Sequence, residues 1–288
     1  VPDRPEWLKV RVPTPAAAER MRVVRQVLAE HRLTTICQGA LCPNAVECWS
    51  AGTATFMILG DVCTRGCRFC AVKTGNPEGV LDRGEPARLA SAVRDLALRH
   101  VVLTSVDRDD LPDGGAAAFV EAVLEIKRAS PESVVELLLP DFSGDPRSLL
   151  RVMASEADIL GHNLETVARL TPALRDRRAS YQQSLDVLHF LRSGARGRAI
   201  KSGLMLGLGE RRSEVRVALE DLREAGTTWV TIGQYLPPTP SSAALRRYVP
   251  PEEFREIEAE ARELGFSWVI AGPLVRSSYH AQVVYGAG

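Results

Sequence analysis

The sequence predicts an α/β protein made of parallel βαβ units, and three observations carry that prediction. Apolar runs of strand length alternate with amphipathic stretches of helical period. The connections between them are short, as crossover units require. Six or seven such pairs stand in a chain of 288 residues, which fits an open or complete (β/α) barrel better than a two-domain protein. Barrels of this kind build their sites at the C-terminal ends of the strands, so the polar residues there are the candidates for function.

The elements follow in order. Residues 1–36 form an N-terminal extension, in which Met21, Val24, Val27 and Leu28 give Ala16 to His31 a helical apolar spacing. Strands are expected at Thr55 to Leu59, Val101 to Thr104, Val134 to Leu139, Asp158 to Asn163, Ile200 to Leu206, Trp229 to Tyr235 and Trp268 to Gly272. Helices are expected at Pro86 to Arg99, Gly115 to Ala129, Pro146 to Ser155, Tyr181 to Leu191, Ser213 to Ala225 and Glu252 to Leu264. Gly60-Asp61 ends the first strand as a turn signal, and Pro237, Pro238 and Pro240 fix a rigid exit from the sixth.

Composition removes several function classes. Lys and Arg together number 36, as do Asp and Glu, so neither nucleic acid nor an anionic membrane is expected as a partner. The N-terminal VPDRPEWLKVRVP is polar and proline-punctuated, without the apolar core of a secretory signal, and the apolar runs are too short to span a bilayer. A cytoplasmic protein is expected. All six cysteines fall between Cys37 and Cys70. Disulfides staple small secreted domains and not one corner of a large one, so metal ligation is the better reading.

The cysteines form two triplets. Cys63, Cys67 and Cys70 are spaced Cys-x3-Cys-x2-Cys in the loop after the first strand, with Phe69 before the last. Three thiolates this close hold three corners of a cubane iron-sulfur cluster, which leaves one iron open to a small chelating molecule. A structural zinc site would need a fourth ligand, usually from a distant Cys or His pair. Upstream, Cys37, Cys42 and Cys48 are spaced Cys-x4-Cys-x5-Cys, and Gly39 and Pro43 mark that stretch as loop. Two incomplete triplets imply two clusters.

Other strand ends carry weaker signals. The loop TSVDRDDLPDGG at Thr104 to Gly115 is rich in carboxylates, which suits a divalent cation or, more commonly, a solvated turn. His162, Asn163 and Glu165 form a polar group after the fourth strand, and the glycines of KSGLMLGLGE at Lys201 to Glu210 let backbone approach a ligand. Arg276-Ser277-Ser278-Tyr279-His280 follows the last strand.

The second triplet resembles the signature of the radical S-adenosylmethionine superfamily. Taken with the first triplet and the closing Arg-Ser-Ser-Tyr, the chain from Trp7 to Ala281 resembles the lipoyl synthase family. Supporting matches are TSVDRDDLPDGG, HNLETV at His162 to Val167, KSGLMLGLGE, and QYLPPT at Gln234 to Thr239. The resemblance implies a partial (β/α)6-type TIM barrel over residues 53–265, flanked by residues 1–52 and 266–288 as extensions that carry an auxiliary cluster. It implies two [4Fe-4S] clusters and S-adenosylmethionine as cofactors. Cys63, Cys67 and Cys70 would hold the cluster that cleaves S-adenosylmethionine. Cys37, Cys42 and Cys48 would hold the auxiliary cluster, with Ser278 as its fourth ligand. The reaction implied is insertion of two sulfurs, donated by the auxiliary cluster, at C6 and C8 of a protein-bound octanoyl chain. The partners implied are an octanoylated lipoyl-carrier domain and an electron donor such as ferredoxin or flavodoxin. Asn163, Glu165, Arg178 and Glu210 are the candidates for holding the cofactor's methionine or ribose.

Two departures from the family pattern bear on carrier contacts. A histidine-containing segment usually follows Gln234-Tyr235-Leu236, whereas Pro240 to Leu245 has none, and Gln38-Gly39-Ala40-Leu41 replaces a more acidic spacer in the first triplet. Two other functions share some of these features. A methylthiotransferase would append an RNA- or protein-binding domain, which the sequence through Gly288 does not show. A two-cluster electron carrier would supply four protein ligands to each cluster and would not need a barrel.

Overall fold

The computed structural model describes residues 4–9, 14–39, 42 and 44–279. Helix α1 (Pro15–Glu30) starts where Thr14 accepts the Ala17 N–H at 3.3 Å and Pro15 occupies the first turn, a pairing that suits a helix start. It is followed by β1 (Thr34–Thr35), α2 (Ile36–Gly39), α3 (Ala45–Ser50) and β2 (Thr53–Ile58). The loop after β2 contains a separate parallel pair, β3 (Val62–Cys63) and β4 (Lys73–Thr74).

From there strand and helix alternate as α4 (Glu85–Asp95), β5 (His100–Ser105), α5 (Ala116–Ala129), β6 (Val134–Leu138), α6 (Pro146–Met153) and β7 (Ile159–Gly161). The run continues with α7 (Thr171–Leu174), α8 (Tyr181–Ser193), β8 (Ala199–Leu206), α9 (Arg212–Glu224), β9 (Trp229–Gln234), α10 (Pro251–Glu263) and β10 (Trp268–Gly272). The main sheet has the order β1-β2-β5-β6-β7-β8-β9-β10, with β1 antiparallel to β2. Strands from β2 onward therefore neighbour one another in chain order, as in a partial (β/α) barrel, and the expected α/β class holds.

Every expected strand and helix is present, displaced by a few residues at its ends. One expectation is corrected. The first triplet was to lie in loop, but Cys37 is in α2 and Cys48 is in α3. These helices are too short to show an apolar period. In α3 local backbone bonds make the helix: Cys48 N–H reaches Asn44 O at 2.9 Å, and Ala51 N–H reaches Glu47 O at 3.0 Å. Ala40 and Leu41 of the spacer, and His280, lie outside the described residues.

The chain divides into two compact units. The first comprises the described residues of Arg11–Thr64, Val72–Ile159 and Ser278–Gly288. Register places Thr53, Thr55 and Met57 of β2 beside His100, Val102 and Thr104 of β5, and Val102 beside Glu136 of β6. Because strand side chains alternate, these residues share one face, while Ala54, Phe56, Ile58, Val101, Leu103, Val135 and Leu137 share the other. That second set is buried and wholly apolar. The first set carries hydroxyls and a buried hydrogen-bonded pair: His100 Nε2 lies 3.2 Å from Glu136 Oε2, with both side chains at most 2% exposed.

The second unit comprises the described residues of Val1–Val10, Arg65–Ala71 and Leu160–Ser277. Its strands β8, β9 and β10 are parallel, with Lys201 beside Trp229 and Trp268 beside Trp229. The two indoles lie 5.3 Å apart, and the buried Lys201 ammonium sits 5.3 Å from the Trp268 ring centre, close enough for cation–π attraction. Farther along the same face, glycine makes room. A Cβ on Gly203 would stand 2.8 Å from Asn163 Oδ1, and one on Gly233 would stand 2.1 Å from the Val275 carbonyl oxygen. Among the described residues, no helix is long and apolar enough to cross a membrane.

Candidate active site

In the first unit, the loop after β2 carries Cys63 and the loop after β5 braces it. The Asp107 N–H donates to Cys63 Sγ at 3.3 Å, and Thr64 N–H donates to Asp107 O at 3.0 Å. Thr64 Oγ1 lies 2.6 Å from Asp109 Oδ2, and Gly75 N–H reaches Cys63 O at 2.9 Å. The carboxylates that made this loop a candidate cation site are used internally. Asp110 accepts two bonds from Arg108 and one from Gly79 N–H, and the Arg108 guanidinium holds its carboxyl below the usual range. Asp113 accepts from Gly115 N–H, Ala117 N–H and Arg151. Among the described residues, no three His, Cys, Asp or Glu side chains gather as ligands of a single metal ion. Arg108, 2% exposed, also donates to the carbonyls of Leu59 and Val80 at 3.1 and 2.9 Å, which ties the exit of β2 to the segment after β4.

The first triplet lies in the same unit, and so do Ser278 and Tyr279. Cys42 N–H donates to Cys37 O at 3.0 Å, and Ala45 N–H donates to Cys42 O at 3.2 Å, so the backbone of Cys42 is tied to both α2 and α3. The Thr55 hydroxyl of β2 donates to Ser278 Oγ at 2.7 Å. The Tyr279 hydroxyl donates to Glu47 Oε2 at 3.2 Å, one residue before Cys48 on α3. Burial, then the Glu47 carboxylate, and last the Cys48 sulfur push the Tyr279 hydroxyl up to about 12. Residues more than two hundred positions apart thus meet: Ser278 at β2, and Tyr279 at the helix of the third cysteine.

In the second unit, Cys67 and Cys70 form a tight turn, with Cys70 N–H bonded to Cys67 O at 3.1 Å. Asp176 organises it. Its backbone N–H donates to Cys67 Sγ at 3.3 Å, and its carboxylate accepts the Gly66 N–H at 2.9 Å. Arg178 Nε donates to Asp176 Oδ1 at 2.8 Å, and this bond, with the Gly66 N–H behind it, holds the Asp176 carboxyl far below the usual carboxylate range. Arg178 therefore reaches the cysteine loop through Asp176. Arg68 N–H donates to Leu174 O, and Ala243 N–H donates to Arg68 O, each at 2.7 Å. Phe69 packs against the buried group Leu174, Leu208, Tyr235 and Ala243, so the aromatic residue before the last cysteine anchors the loop.

The polar group after β7 stands in the same unit. Asn163 Nδ2 donates to Ser277 Oγ at 2.9 Å. Glu165 has φ 71, a left-handed conformation costly for a residue with a Cβ, and it is held by bonds to Gly203 O and from Met205 N–H. Burial pushes its carboxyl up, against the opposing pull of the Arg175 charge and the Asn163 hydrogen bond. Arg175 Nη1 donates to Ser184 Oγ at 2.6 Å, and His162 Nε2 meets the same hydroxyl at 2.9 Å. Among the described residues, Arg175 Nε is buried without a hydrogen-bond partner. Glu210 has its two oxygens on Gly207 N–H and Leu208 N–H at 2.7 and 2.9 Å, so it shapes the glycine turn after β8. Sequence reasoning missed Thr55, Asp107, Arg175 and Asp176 as site residues. Only Asp107 lay within a motif already singled out, and the other three are recognisable only through partners distant in sequence.

The donor sets fit iron-sulfur chemistry. Each triplet offers thiol sulfur alone, and backbone N–H groups point at Cys63 Sγ and Cys67 Sγ, as hydrogen bonds to cluster sulfurs do. The unpartnered Arg175 Nε beside Glu165 fits a ligand that brings its own acceptor.

Comparison with known proteins agrees with this chemistry. The sequence model of the Radical SAM superfamily matches residues 57–222. Lipoyl synthase of Thermus thermophilus is 51% identical over 98% of this chain and 87% of its own length. Those of Deinococcus radiodurans and Pyrobaculum aerophilum are 52% and 53% identical over 98% of this chain, covering 84% and 96% of their lengths. Among solved structures, the hydrogenase maturase HydG of Carboxydothermus hydrogenoformans aligns with TM-score 0.58 at 13% identity, over 94% of this chain and 78% of that one. Methylornithine synthase (PylB) aligns with TM-score 0.53 at 16% identity, over 86% and 81%. The structural likenesses support the fold, and the sequence identities over nearly the whole length go further: the chain belongs to the lipoyl synthase family of the radical S-adenosylmethionine superfamily.

Proposed function

We propose that this enzyme inserts sulfur at C6 and C8 of an octanoyl chain borne by a lysine of a lipoyl-carrier domain. The reading assigns Cys63, Cys67 and Cys70 to a [4Fe-4S] cluster that binds S-adenosylmethionine. Cys37, Cys42, Cys48 and Ser278 would hold a second [4Fe-4S] cluster that serves as the sulfur source. Bound at the first of these sites, cluster and cofactor together supply the one-electron chemistry that activates an unreactive C–H bond. The chain's own residues position and shield. Asp107 and Asp176 direct N–H groups at Cys63 Sγ and Cys67 Sγ, and Phe69 keeps the cysteine turn docked. Asn163, Glu165 and Arg175 offer a polar surface for the methionine or ribose, Arg178 acts through Asp176, and Glu210 holds the glycine turn open.

The observation that supports the sulfur-donor reading most is the anchoring of the last two residues of the closing Arg-Ser-Ser-Tyr within the first unit, Ser278 through Thr55 and Tyr279 through Glu47. A serine oxygen is a harder ligand to iron than thiolate and so suits a cluster that must come apart. Residues 1–52 and 266–288 would then act as extensions that hold this second cluster, and residues 53–265 as the barrel that cleaves the cofactor. An octanoylated carrier, a ferredoxin- or flavodoxin-like reductant and a cytoplasmic location complete the reading.

Paired variants, reconstituted anaerobically, test it. Alanine at Cys63, Cys67 and Cys70 abolishes 5′-deoxyadenosine formation. Alanine at Cys37, Cys42 and Cys48 leaves measurable cofactor cleavage but no sulfur-containing product from an octanoylated peptide. Lipoyl product from the second variant would refute the donor assignment.

A further inference from the structure

We infer that Thr55 is a positioning residue for Ser278, the hydrogen-bond donor that holds the serine oxygen where iron can take it. The inference rests on the proposal that Ser278 is a cluster ligand. Thr55 lies in the middle of β2, in register with Val102 of β5, and is 5% exposed. A threonine suits a strand, but a hydroxyl buried there needs a partner. It finds one across 223 positions of sequence, donating to Ser278 Oγ at 2.7 Å, the usual length for a good O–H···O bond.

The direction of that bond matters. A serine oxygen that gives lone-pair density to iron has no surplus proton to offer, so only a partner that donates can hold it. A backbone carbonyl, which can only accept, could not do so. The Thr55 hydroxyl can. It is also carried on a central strand of the unit, hydrogen-bonded on both sides to β1 and β5, whereas Ser278 belongs to a segment outside the sheet. The donor is thus the rigid member of the pair. Tyr279, bonded to Glu47, fastens the next residue to α3 and leaves the Ser278 side-chain rotation for Thr55 to fix.

The test is iron release from the reconstituted holoenzyme, with S-adenosylmethionine in excess to occupy the open iron of the Cys63 cluster. Iron passing to a chelator is followed optically, and the three-iron species left behind is followed by electron paramagnetic resonance after mild oxidation. Thr55→Val keeps the branched shape and removes the donor, so one iron should leave about fivefold faster, as expected for losing one hydrogen bond. Thr55→Ser should restore the parent rate. Ser278→Ala sets the upper limit, and in that background Thr55→Val should add nothing. Thermal unfolding of each variant checks that the fold is kept, and the Thr55→Ser comparison decides the question should Thr55→Val fold poorly, since a serine that releases iron at the valine rate contradicts the inference. A parent rate in Thr55→Val beside fast release in Ser278→Ala overturns the role of Thr55 alone. Equal acceleration by Thr55→Val with and without Ser278 reduces Thr55 to strand support. A parent rate in Ser278→Ala removes the ligand role of Ser278, and that of Thr55 with it.

Discussion

At the scale of single residues, one commitment between polar side chains, at the start of α9, is readable by pH. Glu214 accepts two bonds from Arg169 and one from the Arg211 N–H at the start of α9, while Arg169 also reaches Gly209 O. The Arg169 bonds, then the Arg211 N–H, bring the Glu214 carboxyl down to about 2 from 4.5. A carboxyl depressed in the folded state contributes stability above its unfolded value and loses it as pH falls through the folded one. Glu214→Gln should therefore lower the melting temperature at neutral pH, with the difference shrinking from pH 4.5 down and vanishing near pH 2. A difference that persists unchanged at the acid end would show that packing, and not charge, makes the contribution. The cysteines were legible in the sequence because their chemistry is in their spacing. Thr55, Arg175 and Asp176 were not, because their roles depend on partners that only the fold brings near.

At the scale of elements, the strands and long helices were legible because burial imposes a period of two or of about 3.6 residues. The short helices α2 and α3 have too few residues for a period, and glycine and proline around them pointed to loop. Tight contacts between elements were also invisible, since a glycine in a strand does not say what approaches it. Gly233 on β9 is such a case, with the Val275 carbonyl in the place its Cβ would take. Backbone cannot move aside like the tip of a side chain, so Gly233→Ala should destabilise the protein by about 1–3 kcal/mol. It should also displace the segment that leads to Ser277, which Asn163 holds from the same unit. Denaturant unfolding measures the first effect, and reduced lipoyl product in excess of any loss of cofactor cleavage measures the second. An unchanged midpoint in Gly233→Ala would contradict this packing of Val275 against β9.

At the scale of the whole molecule, the family and the partial barrel were both legible, since two cysteine triplets and a closing Arg-Ser-Ser-Tyr stand in one chain of alternating strands and helices. What sequence could not supply was the grouping of residues in space. The described residues put Ser278 and Tyr279 in the same compact unit as Cys37, Cys42 and Cys48, across more than two hundred intervening positions. That grouping carries the central claim, that the sulfur of the product comes from the protein's own second cluster. The direct measurement is a single turnover on an octanoylated peptide, using enzyme whose clusters were reconstituted with isotopically heavy sulfide and then freed of excess sulfide. The account predicts product carrying two heavy sulfurs in the parent enzyme and none in the variant with alanine at Cys37, Cys42 and Cys48. Product bearing only light sulfur would contradict it.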